Sequence, residues 1–265
     1  LDPNCNNASE CSTFSYDAMN RLLTAELLGA GAANYDYTYT YNELGNLMSR
    51  EAPDPNWSMS YTYGPVGGAP AVTGGPQALT QSINGNGTVV RYDYDERGNM
   101  DGRYVGAGLV HNYVFDKENR LTSGTTNTQT MSFAYDADGQ RVMTTRHDGT
   151  ILYTPFPDYE VEDPPTGQNT TRTTYRIAGQ MVAVQVKVGA AAGVFSYTLT
   201  DHLGNVVALS TTGGALVANS LARFVPFGNY RPLPSTNPGT TNHGFTGHRH
   251  NNTGAYPTLN VGLIY

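Results

Sequence analysis

The segment YDYDERGNM, Tyr92–Met100, decides how this chain folds. Tyr92 and Tyr94 alternate with acids, the period-2 pattern of a strand with two unlike faces. Asp95 stands where its carboxylate can accept from the backbone two residues on. Gly98, three residues later, suits a left-handed conformation, and together they predict a hairpin with a type I turn and a bulge. Five more segments share the grammar: FSYDAMNRL from Phe14, YTYNELGNL from Tyr39, YVFDKENRL from Tyr113, FAYDADGQRV from Phe133 and YTLTDHLGNV from Tyr197. The turns open on Asp17, Asn42, Asp95, Asp116, Asp136 and Asp201, and the left-handed positions are Asn20, Gly45, Gly98, Asn119, Gly139 and Gly204. Origins 25, 21 and 20 residues apart define a period of about twenty. The two wider gaps have room for degenerate copies, SMSYTYGPVGG around Tyr63 and YTPFPDYEVE around Phe156.

Outward from the turns the alternation continues. Met59, Tyr61 and Tyr63, then Met131, Phe133 and Tyr135, then Val182, Val184, Val186 and Val188 alternate with smaller or polar neighbours, so the chain reads as all-β, consecutive antiparallel hairpins in series. Asp17 to Leu28 is the one modest helix candidate. Composition agrees: charged residues are 14% against roughly 25% for an average domain, with 30 Gly and 15 Pro, while 19 Tyr supply apolar area that keeps the chain from reading as disordered. A net charge of −7 without a basic run argues against nucleic acid and anionic membranes as partners. The most apolar stretch, Met181 to Phe195, is too short for a bilayer span and is broken by Gln185 and Lys187. The chain begins with Leu and shows no leader, which suggests a fragment or a processed chain. Cys5 and Cys11 would close a small loop as a disulfide in an oxidising compartment; two free thiols are the alternative.

The segments resemble the YD repeats of the RHS family of bacterial surface and toxin proteins, a repeat type related to the teneurins; Tyr16-Asp17, Tyr94-Asp95 and Tyr135-Asp136 are the Tyr-Asp pairs. YTLTDHLGNVVAL from Tyr197, RFVPFGNYR from Arg223 and GFTGHRHNNTGAY from Gly244 resemble successive blocks of the RHS-repeat-associated core. The resemblance implies a curved or spiralling β-ribbon, part of an RHS-type shell, often around a C-terminal toxin or peptide. The chain stops at Gly262–Tyr265, before the family's self-cleavage region, so no protease residue and no toxin carry over. The expected layout is an N-terminal segment over 1–13, YD-repeat hairpins over 14–150 and an RHS-core-like β region over 151–265, continuous with the preceding sheet. About twenty strands at ~4.8 Å make a ribbon ~100 Å long with two open edges. The expectation is therefore a secreted or cell-surface, non-enzymatic structural protein that self-associates through β-edges into a homo-oligomer, shell or filament. The alternatives are a piece of an RHS toxin shell that encloses cargo and a carbohydrate-binding adhesion module with glycan partners.

Chemistry-bearing patterns are sparse, and no catalytic, cofactor-binding or metal residue is assigned. His243, His248 and His250 have a spacing a metal could use, but the FTGHRH string belongs to the core block that the chain resembles, and His202 reads as a turn residue. Asp93-x-Asp95 and Asp136-x-Asp138-Gly139 have some features of calcium loops, yet the latter has His147 where the terminal bidentate Glu should stand; turn capping explains both. No G-x-S-x-G, P-loop or complete G-x-G-x-x-G appears. The Tyr stripes fit cross-strand ladders better than sugar platforms, because they recur in register with the turns. Asn86-Gly87-Thr88 and Asn169-Thr170-Thr171 are glycosylation strings of little weight in a bacterial protein.

Overall fold

The structure, a computed structural model, describes residues 10–29, 35–67, 71–126, 129–228, 231 and 240–249. It divides into two compact units, residues 1–128 and 129–265. The first holds β1 (Cys11–Tyr16), β2 (Leu22–Leu28), β3 (Tyr35–Tyr41), β4 (Leu47–Glu51), β5 (Met59–Tyr63), β6 (Leu79–Asn84), β7 (Val89–Tyr94), β8 (Met100–Val105), β9 (Gly108–Phe115) and β10 (Leu121–Thr126). The second holds β11 (Gln129–Tyr135), β12 (Arg141–Thr145), β13 (Ile151–Phe156), β14 (Tyr159–Asp163), β15 (Thr170–Ile177), β16 (Gln180–Val188), β17 (Val194–Thr200) and β18 (Val206–Thr211). Within each unit every strand pairs antiparallel with the next one in sequence. The protein is thus an all-antiparallel β structure of consecutive hairpins.

Alternation sets the faces. In β3, Tyr35, Tyr37, Tyr39 and Tyr41 share one face and Asp36, Thr38 and Thr40 the other; Tyr37 and Tyr39 are buried while the polar three are exposed. Register puts Ala25 opposite Tyr37 and Leu27 opposite Tyr35, so small and aliphatic residues of β2 fit beside the rings. In the second unit Met181, Val184, Val206 and Leu209 form a buried cluster with Val186 and Val217 packed against it. The register slips by one residue beside the opening residue of each of the six turns, for example between Asp93 and Tyr94, because the left-handed residue adds one position to the post-turn side.

The helix candidate Asp17–Leu28 is not a helix. Asp17 opens a turn and Leu22–Leu28 is β2. Ala, Glu and Leu favour helix locally, but pairing on both sides with β1 and β3 buries Ala25 and Leu27 in alternation, and that packing outweighs propensity.

Candidate functional site: turn row, covered face and sealed edge

Six turns have one geometry. In each, the N–H of the opening Asp or Asn donates to the carbonyl four residues on, and the N–H of the left-handed residue donates back to the opening carbonyl; at Asp95 the distances are 2.8 and 3.0 Å. One side-chain oxygen of the opening residue accepts from the N–H groups two and four positions later, Met19 and Arg21 for Asp17, Leu44 and Asn46 for Asn42, Arg97 and Asn99 for Asp95, Glu118 and Arg120 for Asp116, Asp138 and Gln140 for Asp136, Leu203 and Asn205 for Asp201. Backbone donors at Arg21 and Met19, with the Arg21 guanidinium, hold the Asp17 carboxyl below its ordinary range; Asp116 is lowered in the same way by Arg120 and Glu118. Asn20 at φ +59° and Asn119 at +61° take the left-handed position that Gly45, Gly98, Gly139 and Gly204 take elsewhere. Neighbouring turns are tied together: Arg21 donates to the Asn42 carbonyl at 3.2 Å and Arg97 to the Asp116 carbonyl at 2.7 Å.

The tyrosine before the turn has its own task. Tyr41, Tyr63 and Tyr94 end β3, β5 and β7, and their hydroxyls donate to the carbonyls of Leu22, Leu47 and Leu79, the first residues of β2, β4 and β6, at 3.0, 2.9 and 2.8 Å. The Asp folds a hairpin and the Tyr pins it to the strand alongside. Tyr94→Phe keeps the ring and deletes the donor, so it is expected to cost about 1 kcal/mol in urea unfolding.

Both units cover polar groups. His111 on β9, 2% exposed, lies opposite Arg103 and Thr126 in register. Arg103 can only donate, so His Nε2 accepts from Nη1 at 3.1 Å, and Nδ1–H donates to Thr126 Oγ1 at 2.8 Å. Burial, then the Arg103 charge, pushes the imidazole down to about 4. In the second unit Glu160 on β14 faces Arg172 on β15. Arg172 Nη1 donates to Glu160 at 3.2 Å and to Glu162 at 2.7 Å, and Arg146 donates to Glu162 at 2.5 Å. Burial raises the Glu162 carboxyl, but the hydrogen bonds from Arg172 and Arg146 outweigh it and leave it below the usual range. The segment 240–249 packs on this cluster: Asn242 donates to Glu160 at 2.7 Å, Arg249 Nε stands 3.8 Å from the same carboxylate, and Arg249 Nη2 donates to the Pro157 carbonyl at 2.6 Å. A cleft of about 360 Å³ beside it is lined by Asp136, Arg141, Thr154, Phe156, His243 and His248 among others.

The outer edge of β18 is sealed by the chain itself. Val217 N–H donates to the Leu209 carbonyl, Ala222 N–H to that of Val207, Thr211 N–H to that of Ala215, and Val206 N–H to that of Gly244, at 2.9, 2.8, 2.7 and 3.2 Å. Ser220 Oγ accepts from Leu209 N–H at 3.1 Å and is buried in doing so. The backbone groups that an incoming strand would need are thereby taken.

His243 is buried with Nδ1 on Thr241 Oγ1 at 3.3 Å, His248 Nδ1 lies 2.6 Å from Thr246 Oγ1, and His250 lies outside the described residues. Among the described residues no group of three or more His, Cys, Asp and Glu could hold a metal. Asp93 accepts from Thr73 N and Oγ1, so the acids with a calcium-like spacing are engaged in loop and turn bonds. Cys11, at the start of β1, is disulfide-bonded, and Cys5 lies outside the described residues. Sequence reading missed turns with the same pair of backbone bonds at Asn84, Arg146 and Thr211, with Gly87, Gly149 and Gly214 left-handed at +85°, +84° and +84°. The Gly three positions after the opening residue was the available signal. It also missed His111 and the sealed edge, whose partners have no fixed turn spacing, and the Glu160 cluster, whose partner Asn242 lies 82 residues away. No helix is long and apolar enough to cross a membrane among the described residues.

No curated protein matches the chain. Solved structures of TcdB2-TccC3 share 13% identity with it over 94% of its length, at a TM-score of 0.48, and a Photorhabdus luminescens Tc holotoxin pore shares 14% over 93% at 0.46; the chain covers 16% of each of those chains. The Teneurin YD-shell family, a structural shell module, matches residues 7–251. With its turns, its tyrosine pins and nearly all of its length inside that match, the protein belongs to the Teneurin YD-shell family.

Proposed function

We propose that the protein is a wall segment of a YD shell, a non-catalytic extracellular ribbon that helps to enclose a space rather than to process a substrate. The family match over residues 7–251 carries the reading. Two features support it. The turn-to-turn ties and tyrosine pins spend side chains on keeping successive hairpins in register, which suits a wall. The sealed edge of β18 also gives the ribbon a stop, since a filament growing head to tail would need that edge. The disulfide-bonded Cys11 fits an oxidising, extracellular setting. Electron microscopy of the native protein tests the reading: closed hollow bodies are expected, and fibres of indefinite length would overturn it.

A further inference from the structure

In five of the six repeat segments the aromatic pair stands one and three residues before the turn-opening residue, as Tyr94 and Tyr92 stand before Asp95. In the sixth, YTLTD, Leu199 and Tyr197 stand two and four before Asp201, and a one-residue shift along a strand moves a side chain to the other face. The structure follows the shift: Ser196 and Thr198 are buried, while Tyr197 and Leu199 are 46% and 48% exposed. Nearby strands of the second unit are inverted in the same sense, with Thr144, Thr154, Glu160 and Thr174 buried on the covered face. On the opposite face register aligns Tyr159, Thr173, Gln185 and Phe195 in one row and Tyr175, Ala183 and Tyr197 in the next. Tyr153, on that face of β13, is 37% exposed and Tyr175 is 40% exposed. The Phe195 ring lies 5.3 Å from that of Tyr175 and 5.4 Å from that of Tyr197, so the open rings form one patch and not scattered single residues. A contiguous apolar patch on the open side of a sheet marks a contact surface.

We infer that this face packs against the same face of a second copy of the chain, about a two-fold axis running along β15. Charge selects that occupant. The two rows carry no charged side chain, so nothing opposes like meeting like. Two opposite charges border them on the same face, Asp163 on β14 and Lys187 on β16, and neither side chain has an ion-pair or hydrogen-bond partner among the described residues. Turning one copy about β15 lays its β16 over β14 of the other, so Lys187 approaches Asp163 of the second copy and the contact occurs twice. Lys187 is level with Val161 through Thr171, two residues from Asp163, an offset of ~7 Å that falls within a lysine's reach across sheets ~10 Å apart. The two Tyr175 side chains meet at the axis. Five strands ~4.8 Å apart and three rows ~7 Å apart make a face of roughly 500 Å², less than the ~800 Å² per partner of a standard interface, so the pair is weak, with a dissociation constant on the order of 10–100 μM. This pairing goes beyond the wall reading and is independent of it, since hollow bodies form or fail to form whether or not two of these faces meet.

Sedimentation velocity of the full chain, from about 1 to about 500 μM, is expected to show a monomer–dimer equilibrium within that range. Tyr197→Ser removes a ring from the centre of the contact and should raise the dissociation constant about tenfold. Lys187→Glu and Asp163→Lys, each alone, set like charges opposite one another and should weaken the dimer several-fold, whereas the double exchange should restore it, a rescue that a folding defect does not imitate. Four results would overturn the proposal. They are a monomer at every concentration, a dimer indifferent to Tyr197→Ser, which would put the contact on a strand edge, and a double exchange that restores nothing. The fourth is protection of Tyr153, Tyr175 and Tyr197 from hydroxyl-radical labelling in the dilute monomer, which would mean that another part of the same chain covers the face.

Discussion

Glu160→Gln is expected to lower the stability of the second unit by about 3 kcal/mol and to speed amide exchange across residues 240–249. Glu160 is 3% exposed and is the carboxylate shared by Arg172, Asn242 and Arg249. Glutamine keeps its volume and one acceptor oxygen but removes the charge. Glu162 then remains as the nearby carboxylate for Arg146 and Arg172, while Arg249 keeps the Pro157 carbonyl and the field of Asp158 but loses its ion-pair partner. A buried cation that loses its ion-pair partner costs more than the pair itself contributes, because its desolvation is less fully offset. Arg249→Met should cost less, since Glu160 keeps Arg172 and Asn242. Denaturant unfolding of both variants with exchange mapping checks this. Equal losses, or an unmoved 240–249 segment, would mean that the carboxylate does not hold it.

The second large effect is acid lability of the first unit. His111 is held neutral in the fold, at about 4 against an ordinary 6.5, by burial and then by the Arg103 charge, and its bare Nε2 accepts from Arg103. A lowered folded value means that the unfolded chain binds the proton first. The favourable contribution is whole above about pH 6.5, falls as the pH drops towards 4, and amounts to about 3 kcal/mol at most. Stability measured from pH 7 to pH 4 should therefore decline, and His111→Gln, which can still bond Thr126 and Arg103 without titrating, should flatten that decline. The lowered carboxyls of Asp17, Asp95, Asp116 and Glu162 act at more acid pH, below their ordinary values near 4, so the two contributions separate. A slope unchanged in the glutamine variant would remove His111 as its source.

The turns were legible because every partner lies within four residues. Asp17, Asn20 and Arg21 close one turn among themselves, and Asp201, Gly204 and Asn205 do the same with other side chains. The Tyr35–Tyr41 alternation was equally plain, since a strand face repeats every second residue. β2 was less so: its Ala, Glu and Leu say helix until two neighbouring strands are in place.

The amino-acid order alone determined the hairpins, their spacing and which face of each strand is apolar, because those depend on contacts between near neighbours. Folding in three dimensions decided which edge is closed and which polar groups lie covered. Asn242 meets Glu160 across 82 residues and Arg249 meets Pro157 across 92, while Ser220 turns back to seat its hydroxyl on Leu209. Pairs 82 and 92 residues apart leave no periodic mark in the sequence, and the eleven-residue return from Ser220 to Leu209 has no fixed turn spacing; both form only when the sheet has brought the segments together, and that assembly is what seals β18.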